Sequence, residues 1–114
     1  MSDCLFCKII AGEIPGKKIY EDDEIYAFHD ISPQAPVHFL VVPKKHIPTL
    51  MDASLDDAAL LGRLVHKGQE LLASLGCAQK GGRFVFNCKE DGMQTVPHIH
   101  LHVLGGRTLL WPPG

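Results

Sequence analysis

Three histidines stand at every second position near the C-terminal end of the chain, and this spacing is the strongest constraint on its fold. His98, His100 and His102 alternate with Ile99 and Leu101. Successive side chains of a β-strand point to opposite faces, so a strand over this run would place three imidazoles on one face and aliphatic side chains on the other. An imidazole can act near neutral pH as a base, a nucleophile or a metal ligand. The run therefore predicts a strand with one face in the core and a functional row on the other.

The composition is that of a small globular domain. The chain has 114 residues, 46% of them hydrophobic, which is enough for one compact domain over residues 1–114. Its net charge of −2 disfavours nucleic acid as a partner, because binding to a phosphate backbone needs a basic surface. No apolar run is long enough to span a bilayer and no signal pattern is visible, so we expect a soluble, cytoplasmic protein with no membrane partner. The four cysteines are expected to be reduced thiols or metal ligands.

Hydrophobic patterns and turn residues predict an α+β fold. A long helix is expected to begin at Ser54, where Asp57 completes a capping box, and to end at Gly76. A short helix is predicted over 4–11, and strands over 18–21, 25–29, 37–42, 83–87 and 98–104. Because most of these strands adjoin one another along the chain, an antiparallel sheet is favoured over alternating βαβ units.

The histidine row leaves three interpretations open: a metal site, a phosphoryl-transfer site, or a surface strand without a role. The pair Cys4 and Cys7 has a spacing that can hold one zinc ion through two thiolates, although a redox pair or two buried thiols can have the same spacing. Two further ligands would be needed, and His46 and His98 are candidates that the sequence alone cannot bring together in space.

Other candidate ligand contacts surround a proline-rich loop. His29 and Asp30 end a strand beside this loop, where Asp30 could accept hydrogen bonds from ribose hydroxyls. His38 lies in the next strand, and a lone strand histidine is usually structural. The chain has no Walker motif and no dinucleotide glycine fingerprint, so a nucleotide would have to bind by another route.

Several segments resemble one known family. The run 98–104 resembles the signature of the histidine triad (HIT) superfamily, in which histidines alternate with hydrophobic residues. Segments 28–36, 37–46, 104–107 and 111–114 are similar to the Hint branch of that superfamily, which comprises nucleoside phosphoramidases. The resemblance extends over essentially the whole chain, as a single HIT domain.

The resemblance implies a five-stranded antiparallel sheet with one long and one short helix, joined across a homodimer into a ten-stranded sheet. It implies hydrolysis of nucleoside 5′-phosphoramidates, with purine preferred, through a nucleotidyl intermediate on His100. His102 and His38 would lie beside the phosphate oxygens, and the Thr95 hydroxyl would assist the leaving group. The implied nucleotide contacts are Asp30 at the ribose, Asn87 and Gln94 at the phosphate and ribose, Phe6, Phe28, His29 and Ile31 around the base, and Trp111 with the tail reaching the partner's site.

The resemblance also implies one structural zinc ion per subunit, bound by Cys4, Cys7, His46 and His98, and no metal at the reaction centre. Two residues depart from the family pattern. Met93 stands where relatives commonly have glycine, in the loop that faces the α-phosphate. Pro97 stands where tyrosine is frequent, and because proline donates no N–H it should mark the first residue of a strand or an edge.

Two alternatives come from other functional classes. In one, the chain is a metal-dependent hydrolase that uses His98, His100 and His102 together as ligands. In the other, it is a non-enzymatic nucleotide-binding or regulatory dimer, because a binding pocket and a slow enzyme use the same residues.

Overall fold

The computed structural model describes residues 3–114, which form two helices and five strands in the α+β arrangement that the sequence predicts. In chain order these elements are α1 (Leu5–Ile10), β1 (Lys18–Glu21), β2 (Ile25–His29), β3 (Val37–Pro43), α2 (Ala58–Leu72), β4 (Gly82–Phe86) and β5 (Leu101–Gly105). The strands form one antiparallel sheet in the order β1-β2-β3-β5-β4. No helix in this described range is long and apolar enough to cross a membrane.

The two faces of the sheet carry separate apolar clusters. On one face, Phe39 and Val41 of β3 lie in a cluster with buried leucines of α2, including Leu64. On the other face, Leu40 and Val42 lie in a cluster with the buried side of α1. The alternation along β3 therefore assigns one helix to each face, and both faces of the central strands are buried.

The long helix is shorter than predicted and has a different turn at each end. The capping box of Ser54 and Asp57 is present, but it opens a 3-10 turn over Leu55–Asp57, and α2 begins at Ala58. After Leu72 a π-helical turn runs over Ala73–Cys77. Gly76 in that turn has φ +94°, a left-handed conformation that ends helices, as its identity predicts.

The prediction of one strand over 98–104 is wrong at its first half, because β5 begins only at Leu101. Leu101 pairs with Val41 of β3 and with Phe86 of β4. In this register Ile99 would lie opposite Pro43, which has no N–H to donate. On the other side β4 ends at Phe86, so neither neighbouring strand extends the pairing beyond Leu101. The preceding segment makes other backbone bonds instead: the N–H of Ile99 donates to the carbonyl of Ile47.

Smaller differences concern strand ends. Pro97 lies four residues before β5, so the prediction that it begins a strand is also wrong. β4 spans Gly82–Phe86 where 83–87 was expected, and β3 includes Pro43. The hairpin between β1 and β2 is confirmed, since Asp22 closes its turn by accepting the N–H groups of Glu24 and Ile25 at 2.8 Å each.

Candidate active site and metal-binding cluster

The alternation of histidines and aliphatic residues does place them on opposite faces, even though the strand covers only half of the run. Ile99 and Leu101 are buried in the cluster that includes α2. On the other side, the rings of His98 and His100 lie 6.0 and 5.0 Å from the ring of Phe6 on α1. His98 is 0% exposed and His100 is 5% exposed, so the interpretation as a surface strand is wrong.

His98 faces Cys4, the N-cap residue of α1, and Cys7 in its first turn. Its Nε2 lies 2.7 Å from the carbonyl oxygen of Pro43, which can only accept, so Nε2 carries the proton and Nδ1 has the lone pair. That Nδ1 lies 3.4 Å from Sγ of Cys4, 3.6 Å from Sγ of Cys7 and 3.2 Å from Nδ1 of His46. Burial lowers the pKa of His98, which favours the neutral ring that a metal requires.

These four residues fit a zinc ion. Their ligand atoms all lie within 4.8 Å of one another. Tetrahedral zinc with usual bond lengths to sulfur and nitrogen separates its ligand atoms by about 3.3–3.8 Å, which is close to the distances around His98 Nδ1. The hydrogen bond from His98 to Pro43 is the support from a carbonyl that metal-bound histidines usually have. The sequence prediction of a Cys₂His₂ cluster therefore agrees with the geometry.

His100 has the opposite tautomer from His98, so its unprotonated nitrogen is Nε2 and not Nδ1. Its Nδ1 lies 2.8 Å from the carbonyl oxygen of His98, so Nδ1 donates and the lone pair is on Nε2. Burial lowers the pKa of His100, opposed in part by this hydrogen bond and by Asp30. The ring is therefore held neutral with a nucleophilic Nε2.

His102 and His38 form a hydrogen-bonded pair whose protons are assigned by a backbone donor. The N–H of Gln34 donates to Nδ1 of His38 at 3.0 Å, so neutral His38 carries its proton on Nε2. That Nε2 lies 3.0 Å from Nδ1 of His102 and 3.4 Å from Oδ2 of Asp30. His102 Nδ1 accordingly accepts, and neutral His102 carries its proton on Nε2. Burial lowers the pKa of His102 to about 4, with His100 and His38 adding to the shift, so the ring is a neutral donor.

The alternative of three histidines around one metal ion does not agree with these directions. His98 turns its free nitrogen toward the cysteines, whereas His100 donates its Nδ1–H to a carbonyl. Asp30, His38 and His102 do bring ligand atoms within 4.8 Å of one another. However, the nitrogen that His38 would offer carries a proton, because its other nitrogen accepts from Gln34. A ligating histidine should donate through its second nitrogen, so this group fits a hydrogen-bond chain better than a metal.

Part of the predicted nucleotide site lines one open cavity of about 610 Å³. Its walls include His29, Asp30, Ile31 and His38, and Ile31 is 92% exposed at the surface. Asp30 is fixed there by accepting the N–H of Ser32 at 2.8 Å. Lys17 lines the same cavity and was missed by the sequence analysis, because a lysine beside a predicted strand has no distinguishing signal.

Phe6 and Phe28 are buried in the cluster with α1, with ring centroids 5.5 Å apart. Phe6 is thus brought against His100, and its expected contact with a base stays a prediction. The side chain of Gln94 makes hydrogen bonds within the protein. It accepts the N–H of Lys89 and donates to the carbonyls of Pro48 and Val96, which stabilises its own loop.

The remaining predicted site residues do not line the cavity that contains Asp30. Thr95 is exposed in a cavity of about 440 Å³ that it shares with Cys4 and His46, on the side of the metal-binding cluster. Met93 is exposed and has φ +59°, so a side chain occupies a left-handed position that glycine would adopt without strain. Asn87 is half-buried directly after β4, and Trp111 is exposed in the C-terminal tail.

The chain is similar in sequence and fold to the proteins of one known family. The chain belongs to the HIT family: the profile of the HIT domain matches residues 11–109. An uncharacterized HIT-like protein of Synechocystis sp. is 51% identical over 112 residues, which cover 98% of this chain and 97% of that protein. The crystal structure of a HIT family hydrolase from Legionella pneumophila has 51% identity and a TM-score of 0.96, covering 98% of this chain and all of that one. A zinc-bound histidine triad family protein from Mycobacterium smegmatis is 33% identical with a TM-score of 0.80, over 92% of this chain and 76% of that one.

Proposed function

We propose that this protein is a nucleoside 5′-phosphoramidase of the Hint branch, which cleaves the phosphorus–nitrogen bond between a nucleoside monophosphate, preferably a purine one, and an amine. The observation that carries the proposal is the hydrogen bond from Nδ1 of His100 to the carbonyl of His98. It leaves a buried, unprotonated Nε2 that no neighbouring metal ligand set includes within the described range. A nucleophilic histidine needs this tautomer.

The reaction runs in two displacements. Nε2 of His100 attacks the α-phosphorus, the bond to the amine nitrogen breaks, and the amine leaves with its electron pair and takes up a proton from solvent, which the second step returns. Water then attacks the nucleotidyl-histidine, loses a proton, and returns the electron pair to Nε2 as the nucleotide leaves. Neutral His102 would donate its Nε2–H to a phosphoryl oxygen, where negative charge is concentrated in both steps.

The cavity that contains Asp30 would take the nucleoside. A carboxylate oxygen of Asp30 can accept a ribose hydroxyl, while the apolar surface of Ile31 would contact the base. Thr95, Asn87, Gln94 and Met93 are assigned to the phosphate and leaving-group side by family resemblance alone, with Thr95 assisting the departing amine.

We propose a structural zinc ion on Cys4, Cys7, His46 and His98. The ligand geometry and the zinc-bound relative from Mycobacterium smegmatis support it. With four protein ligands, such an ion has no open position for catalysis and supplies folding energy instead. It would join the N-terminus of α1 to the segment that precedes β5.

We also propose a homodimer through β4. This strand is at the edge of the sheet, with one side paired to β5 and the other open to a second strand. Phe84 on β4 and Val65 on α2 are exposed apolar side chains. Phe84 lies against Gly68 of α2, three residues after Val65, so a partner at this edge would cover both. Pairing of two β4 strands would join two sheets into one of ten strands, and Trp111 would then reach the partner's site.

The test is hydrolysis of an adenosine 5′-phosphoramidate by wild type, His100→Ala and the control His66→Ala, which changes an exposed histidine on α2. We expect His100→Ala to lower kcat/KM by at least about 10²-fold and His66→Ala to leave it unchanged. Equal turnover by His100→Ala and wild type would rule out the nucleophile. Tight nucleotide binding without hydrolysis by wild type would favour the regulatory dimer.

A further inference from the structure

The loop over 32–36 connects the pair of His38 and His102 to the segment that follows β5. Gln34 is the central residue of this connection: its N–H donates to Nδ1 of His38 at 3.0 Å. Its carbonyl oxygen accepts two hydrogen bonds from the guanidinium of Arg107, from Nε at 3.2 Å and from Nη2 at 3.0 Å. A single exposed residue thus joins a surface guanidinium to a buried imidazole.

The backbone next to Arg107 is shaped for this contact. Gly106 has φ +91°, and a Cβ at this position would lie 2.8 Å from Cβ of Pro36, so only glycine lets the segment come this close to the loop. The guanidinium is held on its other side as well, because Nη1 donates to the carbonyl of Thr108 at 3.0 Å. The guanidinium of Arg107 is therefore fixed in the orientation that donates to the carbonyl of Gln34.

The hydrogen-bond chain has two directions that differ only in where the protons lie. With the N–H of Gln34 in place, His38 donates from Nε2 to Nδ1 of His102, and His102 keeps its proton on Nε2. If Gln34 moves away, His38 can carry its proton on Nδ1 and accept at Nε2, and His102 then carries its proton on Nδ1. Oδ2 of Asp30 also favours the first direction, but at 3.4 Å from His38 Nε2 it is at the long end of the hydrogen-bond range.

We propose, building on the function proposed above, that Arg107 is a positioning residue that sets the tautomer of His102 through Gln34 and His38. The reacting phosphoryl group meets a donor at Nε2 of His102 only while this chain keeps its direction. The hydrogen bonds of Arg107 go to the carbonyls of Gln34 and Thr108, so it acts on His102 through the placement of Gln34.

The test is the protonation pattern of the imidazole rings in protein labelled with ¹⁵N-histidine, read from two-bond ¹H–¹⁵N spectra without substrate near pH 7. Wild type is expected to carry the proton of His102 on Nε2. In Arg107→Ala a measurable fraction of His102 moves to the Nδ1–H form, and kcat/KM falls about tenfold, equivalent to about 1.4 kcal/mol, with little change in KM. Arg107→Lys keeps one charged donor and is expected to be intermediate in both measurements.

Arg83→Ala is the matched control. Arg83 also donates to backbone carbonyls, those of Leu109 and Leu110, but it holds the C-terminal tail and not the loop with Gln34. Removing its charge should leave the spectrum of His102 unchanged. Thermal melting of each variant confirms that the compared proteins are folded, and if Arg107→Ala is unfolded then Arg107→Lys decides the outcome.

The spectra separate this inference from the proposed function. If folded Arg107→Ala, or Arg107→Lys in its place, shows His102 protonated on Nε2 as in wild type, the positioning role is overturned even where hydrolysis depends on His100. If the tautomer shifts in a protein that cleaves no phosphoramidate, the positioning of His102 stands and the proposed activity fails.

Discussion

The ring of Phe6 stands edge-on against the ring of His100, with centroids 5.0 Å apart and ring planes at 83°. Phe6 lies on α1 between Cys4, the N-cap residue, and Cys7, so the helix that carries the two cysteine sulfurs at its start also packs on the proposed nucleophile. The proposed zinc ligands and the proposed nucleophile are therefore connected through one helix, although they share no ligand atom.

This contact predicts that Phe6→Leu lowers kcat/KM by about three- to tenfold, because an edge-to-face aromatic pair contributes about 0.5–1.5 kcal/mol and the shorter side chain leaves the imidazole less constrained. The control is Ile9→Val, which shortens the other buried side chain of α1, three residues beyond Phe6. Steady-state kinetics on a phosphoramidate substrate check it. An unchanged kcat/KM in folded Phe6→Leu would contradict the positioning of His100 by α1.

Removal of one thiolate tests the metal assignment. Cys7→Ser is expected to lose bound zinc and to melt roughly 10 °C or more below wild type, because structural zinc contributes directly to folding. Cys88→Ser changes a half-buried thiol outside the cluster and should keep the zinc. Zinc content by mass spectrometry and calorimetric melting are the measurements. Wild-type protein that is purified without chelator and contains no zinc would contradict the four-ligand site.

The depressed pKa of His102 predicts a pH dependence of stability. An unfolded histidine takes up its proton near pH 6.5, whereas burial lowers the pKa of folded His102 to about 4. Between these values the unfolded state binds more protons, so the folded state loses stability as the pH falls from about 6.5 toward 4. The titratable groups around His102 are His100, His38 and Asp30.

We therefore expect the free energy of unfolding to fall less steeply over this range in His102→Gln than in wild type. His66→Gln, at an exposed site on α2, is the control and should follow wild type. Urea titrations at several pH values measure the slopes. Parallel slopes for wild type and His102→Gln would contradict the depressed pKa.

Two glycines of α2 predict opposite stability changes for the same substitution. Gly62 has open space where a Cβ would lie, so Gly62→Ala should stabilise the protein by about 0.5–1 kcal/mol through helix propensity. At Gly68 a Cβ would meet the side chains of Val103, Leu101 and Phe84 at 3.1–3.2 Å. The first two are fully buried, so the added methyl group overpacks the core at a cost of about 1–3 kcal/mol. After the helix-propensity gain of about 0.5–1 kcal/mol, Gly68→Ala should still destabilise the protein, by up to about 2 kcal/mol. Chemical denaturation of both variants checks the pair, and equal effects would contradict this packing of α2 on β5.

The sequence predicted the face of the sheet on which a side chain lies better than the residue at which a strand or helix begins. Alternation alone assigned His98 and His100 to the side opposite Ile99, and the structure confirms it. It did not predict that the strand begins at Leu101, because that limit depends on Pro43 and the end of β4, which lie far away in the sequence. The capping box at Ser54 was recognisable from spacing, whereas the switch from a 3-10 turn to α2 was not.

The roles of the individual histidines also could not be predicted from the sequence pattern alone. The three imidazoles look alike in the sequence, and their protons are assigned by carbonyl and N–H groups of Pro43, His98 and Gln34 that only the fold brings to them. Family resemblance placed His100 as the nucleophile, and the tautomer provides a physical reason for that choice. Family resemblance included Arg107 in the segment 104–107 but gave it no role, since its contact with Gln34 joins residues 73 positions apart.

The most direct measurement is to trap the covalent intermediate. Wild-type protein is mixed with an adenosine 5′-phosphoramidate, quenched within milliseconds, digested with protease and analysed by mass spectrometry for an adenylyl group. We expect the group on the peptide that contains His100, bound to that histidine and absent from His100→Ala. An adenylyl group on any other side chain, or hydrolysis that proceeds with no labelled peptide at any quench time, would contradict the account.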